Sequence, residues 1–364
     1  MTILDYVVPW AREGEAYSEG HLEYAWQHPE VLRMMSNENP LAPSDAVKEA
    51  ITAAVEMGNR YPDPGDRLRE KLAEMNGLTR HNVLLGNGST EIIDILLRTF
   101  AEPGQEVIIP VPTFSMYERR ARCNGIVPVL IPMTHEFDLD TSSILGAVNE
   151  ETKFIFLCSP NNPTGRHIPI PIIRKILDLG LPTLIDEAYY ELGRKPRTCV
   201  PLLDEFPNLI ISRTFSKAYG LAGLRVGYAF ASPLLIECMD KVKLPWNVSI
   251  LTFAAVLAQL GDIADLKQKL ELIVAGREYI QAELSTIPGL KVYPSEGNFL
   301  LIDGSGLGFS SNDIYEAMRD QYKIQLRPMQ AHHGRDGLVR ITVATEEENR
   351  ACVEGLKQLF SNGQ

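Results

Sequence analysis

"KFIFLCSPNNPTG", Lys153–Gly165, is the stretch on which the fold turns. An unbroken apolar run ends abruptly in a polar turn stiffened by two prolines. An apolar run this short, without alternation, reads as a strand covered on both faces. Similar runs recur on either side: "NVLLG" (82–86), "EVIIPV" (106–111), "VPVLI" (127–131), "PTLIDEA" (182–188), "NLIISR" (208–213) and "RVGYAFA" (225–231). Helical patterns lie between several of them. In Ser89–Ala101, Ile92, Ile93, Leu96 and Leu97 make an apolar stripe, with Ser89 the expected N-cap. Strands interleaved with helices predict an α/β fold, a mainly parallel seven-stranded sheet flanked by helices on both faces.

Beyond about residue 248 the pattern changes. "VSILTFAAVLAQL" and Ala264–Ile287 read as long helices, and "LKVYP", "GNFLLID" and "LVRITVA" as strands. Further helices are expected at Ser310–Gln321 and Glu346–Phe360. This order predicts a smaller α+β unit. The expected division is 41–250 for the large unit, with 1–40 and 251–364 forming the small one. A chain of 364 residues is long enough for two such cores.

Composition narrows the function. A net charge of −12 argues against a nucleic-acid partner, yet leaves room for a local basic pocket. No apolar run approaches the roughly 18 residues of a membrane span. The N-terminus lacks the basic start and apolar core of a secretory leader. Five scattered cysteines without a CxxC pair give neither a zinc site nor a disulfide framework, so no metal is expected and a reducing cytoplasm fits best.

Polar clusters sit where the strands end, the place where parallel sheets collect ligands. "GNGST" (86–90) opens a helix with exposed N–H groups suited to an anion, or is only a glycine turn; it lacks both the third glycine of a dinucleotide site and the lysine of a nucleotide-binding P-loop. Asn162 offers an amide at one strand end. Asp186 closes another, where a carboxylate needs a cation or donors unless it is solvated. In "RTFSKAYGLAGLR" (213–225), Lys217 is an ordinary loop lysine or, if desolvated near a cation, a nucleophile. Thr214, Ser216 and Arg225 could surround a phosphate. Together, an amine nucleophile, a strand-end carboxylate, an amide donor, hydroxyls, an arginine and a helix start match a bound pyridine-aldehyde phosphate.

"SPNNPTG", "DEAY" and "SKAYGLAGLR", in this order, resemble the fold-type I, class I and II pyridoxal-phosphate-dependent aminotransferases. Within them, "SNENPLAPS" (36–44), "RYPDPGDRLREKLA" (60–73), "LLGNGSTEII" (84–93), "PTFSMYE" (112–118), "PWNVS" (245–249), "EGNFLLI" (296–302), "LRP" (326–328) and "VRITVATEEEN" (339–349) are most similar to the histidinol-phosphate aminotransferases. The resemblance runs from about residue 36 to the C-terminus.

It implies pyridoxal 5'-phosphate bound covalently as an aldimine on Lys217, with that amine as general acid and base. It implies Asp186 on the pyridine nitrogen, Asn162 and Tyr189 on the ring hydroxyl, Phe114 stacked on one ring face and Ala188 packed on the other. Ser89, Thr90, Thr214, Ser216 and Arg225 would hold the cofactor phosphate, joined by Tyr61 from the neighbouring subunit of a homodimer with a composite site. Arg340 would clamp a substrate α-carboxylate and Arg327 a substrate phosphate or side carboxylate, with Asn39 and Asn247 on the substrate side.

Two features depart from the family pattern. Thr90 stands where many relatives carry an acid. The N-terminal segment lacks their tyrosine-bearing "PYxPG"-like run and offers only Tyr6 or Tyr17, while His332 and His333 in "QAHHGRDG" are loop residues or substrate contacts. The implied activity is ping-pong transamination of amino and keto acids, with histidinol phosphate and 2-oxoglutarate as the expected pair. The alternatives are an aromatic amino-acid aminotransferase, a phospho-amino-acid decarboxylase and a non-catalytic cofactor-binding protein.

Overall fold

The computed structural model describes residues 2–14, 16 and 20–362. Seven strands form the large sheet: β1 (Val83–Gly86), β2 (Glu106–Val111), β3 (Val127–Pro132), β4 (Thr152–Cys158), β5 (Thr183–Asp186), β6 (Leu209–Thr214) and β7 (Gly227–Ala231). Their order across the sheet is β1-β7-β6-β5-β4-β2-β3. β7 runs antiparallel to both its neighbours, and the remaining pairs are parallel. All seven expected strands are therefore present. The edge falls to β3, where Pro128 and Pro132 lack the N–H that an inner strand would need.

The apolar runs divide by parity. Leu85, Ile108, Ile155, Leu157, Ile185, Ile211 and Phe230 pack on one face with Leu68, Leu72, Ile173 and Ile176 from helices Asp66–Glu74 and Ile170–Leu177. Leu84, Val107, Ile109, Phe154, Phe156, Leu184 and Ile210 pack on the other with helices Gly88–Phe100, Met116–Cys123 and Pro233–Val242. Successive side chains of a strand point to opposite faces, so a sheet covered on both sides needs apolar residues at every position.

A second sheet is antiparallel throughout: Lys291–Tyr293 (β8), Phe299–Asp303 (β9), Arg327–Pro328 (β10) and Leu338–Thr342 (β11), in the order β10-β11-β9-β8. Its core includes Leu300, Ile302, Val339 and Ile341, with Ile314 and Met318 of helix Ser311–Tyr322 and Val353 and Leu356 of helix Glu346–Asn362. Met34 joins this core, and Leu32–Arg33 pairs in parallel with Ile324–Gln325. Helix Ile250–Gly261, beyond the division expected at 250, sends Phe253, Ala255, Val256 and Leu260 into the core of the large sheet. The next helix, Ile263–Leu284, gives Ile273 to that core and Ile280 and Leu284 to the smaller one, so it joins the two. No helix among the described residues is long and apolar enough to cross a membrane.

Candidate active site

The ends of β4, β5 and β6 lie side by side, with Cys158 in register with Asp186 and Asp186 with Ser212. Lys217 follows five residues later, in the loop after β6. Its Nζ donates to the backbone oxygens of Ser36 (3.1 Å) and Asn37 (3.0 Å) and lies 5.9 Å from the centre of the Tyr189 ring. Burial, then the Arg340 guanidinium, lowers its pKa from the ordinary lysine value to about 8, against Glu38; Arg225 lowers it further and Asp186 opposes. Neutral carbonyls hold the amine without balancing its charge, the condition under which lysine becomes a nucleophile.

Asp186 is 2% exposed. Its Oδ2 accepts from the Tyr117 hydroxyl at 2.6 Å and its Oδ1 from the Ala188 N–H at 3.1 Å. Burial raises its pKa, and the Tyr117 hydrogen bond opposes that most strongly. The Tyr189 hydroxyl accepts from Asn37 Nδ2 at 3.0 Å, and its ring meets Phe299 edge-on at 5.0 Å. Burial pushes its phenol above the ordinary tyrosine value. Asn162 Oδ1 accepts from Arg340 Nη1 at 2.6 Å, and Arg340 also donates to the Met35 carbonyl. Lys217, Asp186, Tyr189, Asn162 and Arg340 are thus linked by contact or by electrostatic influence on one another.

The helix start beside this group carries the second half of the site. Helix Gly88–Phe100 is capped by Asn87 rather than by the expected Ser89. The helix begins at Gly88, so Ser89 is its second residue, and Glu91 accepts the Asn87 N–H. Gly88 has φ +76°, and a Cβ placed on it would lie 2.3 Å from Arg225 Nη2. The guanidinium therefore rests where any side chain at 88 would be, directly against the helix N-terminus. Thr214 donates to the Ser216 hydroxyl at 3.0 Å and accepts the Ser216 N–H at 3.1 Å, which fixes both hydroxyls. This cradle of helix N–H groups, three hydroxyls and an arginine is chemically suited to a phosphate. Phe114, half-buried, meets Tyr117 edge-on at 5.6 Å. The residues present fit pyridoxal phosphate: an amine for its aldehyde, a buried carboxylate for its nitrogen, and this cradle for its phosphate.

The "NNPTG" turn is fixed from the loop between β8 and β9. Gly165 (φ +70°) has no room for a Cβ, which would fall 2.1 Å from Ser295 Oγ, and its carbonyl accepts the Glu296 N–H at 2.8 Å. Asn37, also buried, receives Thr342 Oγ1 at its amide oxygen (3.1 Å) and Asn298 Nδ2 at its carbonyl (2.9 Å). No motif reading had singled out Asn37; it follows Ser36 in "SNENP", and its φ of +53° favours asparagine.

On the substrate side, Arg327 of β10 lies in register with Arg340 of β11. Like charges directly opposite on neighbouring strands repel, so the pair suits a shared anion. His21, from helix Gly20–Gln27, was also missed. Its carbonyl accepts from Gln325 Nε2 at 3.0 Å; burial, then Arg327 and Arg340, depresses its pKa to about 4. Asn39 and Asn247, expected nearby, spend their amides on the protein. Asn39 donates to the carbonyls of Lys217 (3.3 Å) and Ala218 (3.1 Å), bracing the lysine loop. Asn247 donates to Leu85 O (3.2 Å) and Glu91 (2.6 Å), at the phosphate-side helix start. Tyr61 is 77% exposed and stacks on Trp246 at 4.5 Å. Tyr6 is 75% exposed, and Tyr17 lies outside the described residues. His332 and His333 bond through Nε2 to the carbonyls of Thr134 and Met133, pinning their loop to the large unit.

Residues 29–356 match the family described as aminotransferase class I and II. The histidinol-phosphate aminotransferase of Cytophaga hutchinsonii is 36% identical over 354 residues, covering 95% of this chain and 96% of its own. That of Methanothermobacter thermautotrophicus is 38% identical over 341 residues, covering 92% and 91%. Among solved structures, histidinol-phosphate aminotransferase from Sinorhizobium meliloti in complex with pyridoxal-5'-phosphate is similar, with a TM-score of 0.87, 26% identity and 98% of each chain covered.

Proposed function

The chain belongs to the class I and II aminotransferases, and from that premise we propose that it moves an amino group between histidinol phosphate and 2-oxoglutarate, a step of histidine biosynthesis. Pyridoxal phosphate, when bound, supplies the electron sink that lets a proton leave the substrate's α-carbon.

The protein's part follows from the positions above. Lys217 Nζ would hold the cofactor's aldehyde carbon and, when freed, would serve as the general acid and base that moves a proton at the substrate α-carbon. Its depressed pKa keeps a useful fraction of free amine near neutral pH. Asp186 holds the proton on the ring nitrogen. Asn162 and Tyr189 bind the ring hydroxyl, Phe114 and Ala188 bracket the ring, and Ser89, Thr90, Thr214, Ser216 and Arg225 hold the phosphate. In a cytoplasmic homodimer, Tyr61 would reach the partner's cofactor phosphate; its exposure and its stacking on Trp246 support that reading.

The register pairing of Arg327 with Arg340 is the observation that carries the substrate assignment. Histidinol phosphate has no carboxylate; a phosphorylated hydroxymethyl group stands on its α-carbon in the carboxylate's place. Two adjacent guanidiniums can take a dianion in one half-reaction and the carboxylates of glutamate in the other. Steady-state kinetics of Arg327→Met test this. KM for histidinol phosphate should rise by about tenfold or more, the loss of one charge-assisted contact. KM for phenylalanine should change much less. Equal effects on both substrates would remove Arg327 from phosphate recognition, and turnover of phenylalanine alone by the unaltered protein would move the assignment to the aromatic enzymes.

A further inference from the structure

Tyr117 has no part in the roles assigned so far, yet it makes the shortest side-chain contact to Asp186. It sits on helix Met116–Cys123, 1% exposed, and its hydroxyl donates to Asp186 Oδ2 at 2.6 Å. The ring is fixed on two sides, stacked on Phe156 at 4.9 Å and edge-on to Phe114 at 5.6 Å. A phenol placed so deep without a partner would be costly, and its partner here is the carboxylate meant for the cofactor.

We infer that Tyr117 is a positioning residue that keeps Asp186 ionised and thereby determines how firmly the cofactor's ring nitrogen holds its proton. The inference rests on the reading that Asp186 meets that nitrogen. A proton shared between a ring nitrogen and a carboxylate stays with the stronger base. The O–H···O⁻ bond from Tyr117 makes Asp186 the weaker base, so the proton stays on nitrogen and the ring remains electron-poor. The other titratable groups that act on or are acted on by Asp186 are Cys158, Tyr189 and Lys217. Burial keeps the Cys158 thiol and the Tyr189 phenol neutral at neutral pH, which leaves Lys217 as the cation of the group. The geometry also couples Phe114 to the same helix, three residues before Tyr117, so one element sets both the tilt of the ring and the state of its counter-ion.

Tyr117→Phe keeps the ring packing and removes only the donor. The test is a pH titration of the visible absorbance of the holoprotein, compared with the unaltered protein and with Asp186→Asn. With the ring nitrogen less protonated, the bond to Lys217 becomes more basic, so the titration midpoint should move upward by about half a unit to one unit, a fraction of the roughly 1–2 units of one hydrogen bond to a charged group because the effect passes through Asp186 and the ring. Replacing Tyr117 by 3-fluorotyrosine, a stronger donor of nearly the same shape, should move it downward. A shift in Asp186→Asn without any shift in either Tyr117 variant overturns this inference and leaves the role of Asp186 intact. No shift in Asp186→Asn overturns both. Opposite shifts in the two Tyr117 variants support it, since a merely structural residue would not give a graded, signed response.

Discussion

Gly88→Ala tests the phosphate half of the site through a single methyl group. Two costs can be worked from the structure. Gly88 sits at φ +76°, where an L-residue costs about 1–2 kcal/mol. The new Cβ would also fall 2.3 Å from Arg225 Nη2, well inside contact, so the guanidinium must leave the helix start. If Arg225 holds the cofactor phosphate, its displacement removes one charge-assisted contact, worth about 1.5–3 kcal/mol. At about 1.4 kcal/mol per tenfold, the Kd of the apoprotein for pyridoxal phosphate should rise by about 10- to 100-fold. Binding of pyridoxal, which lacks the phosphate, should be nearly unchanged. Fluorescence titration of the apoprotein with both ligands measures the two numbers, and urea denaturation measures the stability cost separately. Arg225→Ala should reproduce the affinity loss, and adding Gly88→Ala to it should weaken binding little further, because both act on one contact. A Gly88→Ala protein that is less stable yet binds pyridoxal phosphate as tightly as the unaltered one would refute the reasoning.

Two further outcomes follow from buried charges. With the Lys217 pKa lowered to about 8, cofactor capture by the apoprotein should speed up as pH rises to about 8 and then level off; a lysine at its ordinary value would have roughly 300-fold less free amine at neutral pH. Stopped-flow absorbance reads this, Lys217→Ala should capture none covalently, and a rate still climbing steeply beyond pH 9 would contradict the buried amine. Arg213, just before the lysine loop, makes a buried ion pair with Glu187 at 2.9 Å and donates to Thr198 (2.7 Å) and Asn76 (3.0 Å). Arg213→Met strands Glu187 in the interior and should cost about 3–5 kcal/mol by urea denaturation at neutral pH. Burial already holds the Glu187 pKa above its unfolded value against the pull of Arg213; without that cation it rises further, so the deficit should shrink as pH falls towards that of an ordinary carboxyl; a pH-independent loss would rule this cause out.

The sheet was legible because its physics is local. A strand buried on both faces must be apolar at every position, and "KFIFLC" and "TLID" say so without help from distant residues. Asp186, Asn162 and Arg340 stood out in the sequence because a buried polar group at a strand end or on a strand needs a partner, while Lys217, read alone, was equally an ordinary loop lysine until the family resemblance gave it a role. What stayed hidden depends on contacts across the chain. Asn37 meets Tyr189 across 152 positions and Asn298 across 261, and nothing in the local sequence ties their side chains together. Tyr117 stood in a recognised run, "PTFSMYE", yet its partner Asp186 is 69 positions away. The Ser89 cap failed for a local reason: Gly88, at φ +76°, already opens the helix, so Asn87 is the N-cap residue and Glu91 accepts the Asn87 N–H. Helix Ile263–Leu284 shows why the boundary was hard to read. Its residues serve two cores, so no break in composition marks where one unit ends.

The central claim is that Lys217, Asp186 and the paired arginines act together on a phosphorylated amine. The half-reaction of the holoprotein tests it in one mixing experiment. With histidinol phosphate and no keto acid, the visible absorbance tied to the Lys217 bond should be lost within a single turnover, with release of imidazole-acetol phosphate, and 2-oxoglutarate should restore it while forming glutamate. An unchanged spectrum with histidinol phosphate, alongside a full response to phenylalanine, would contradict it.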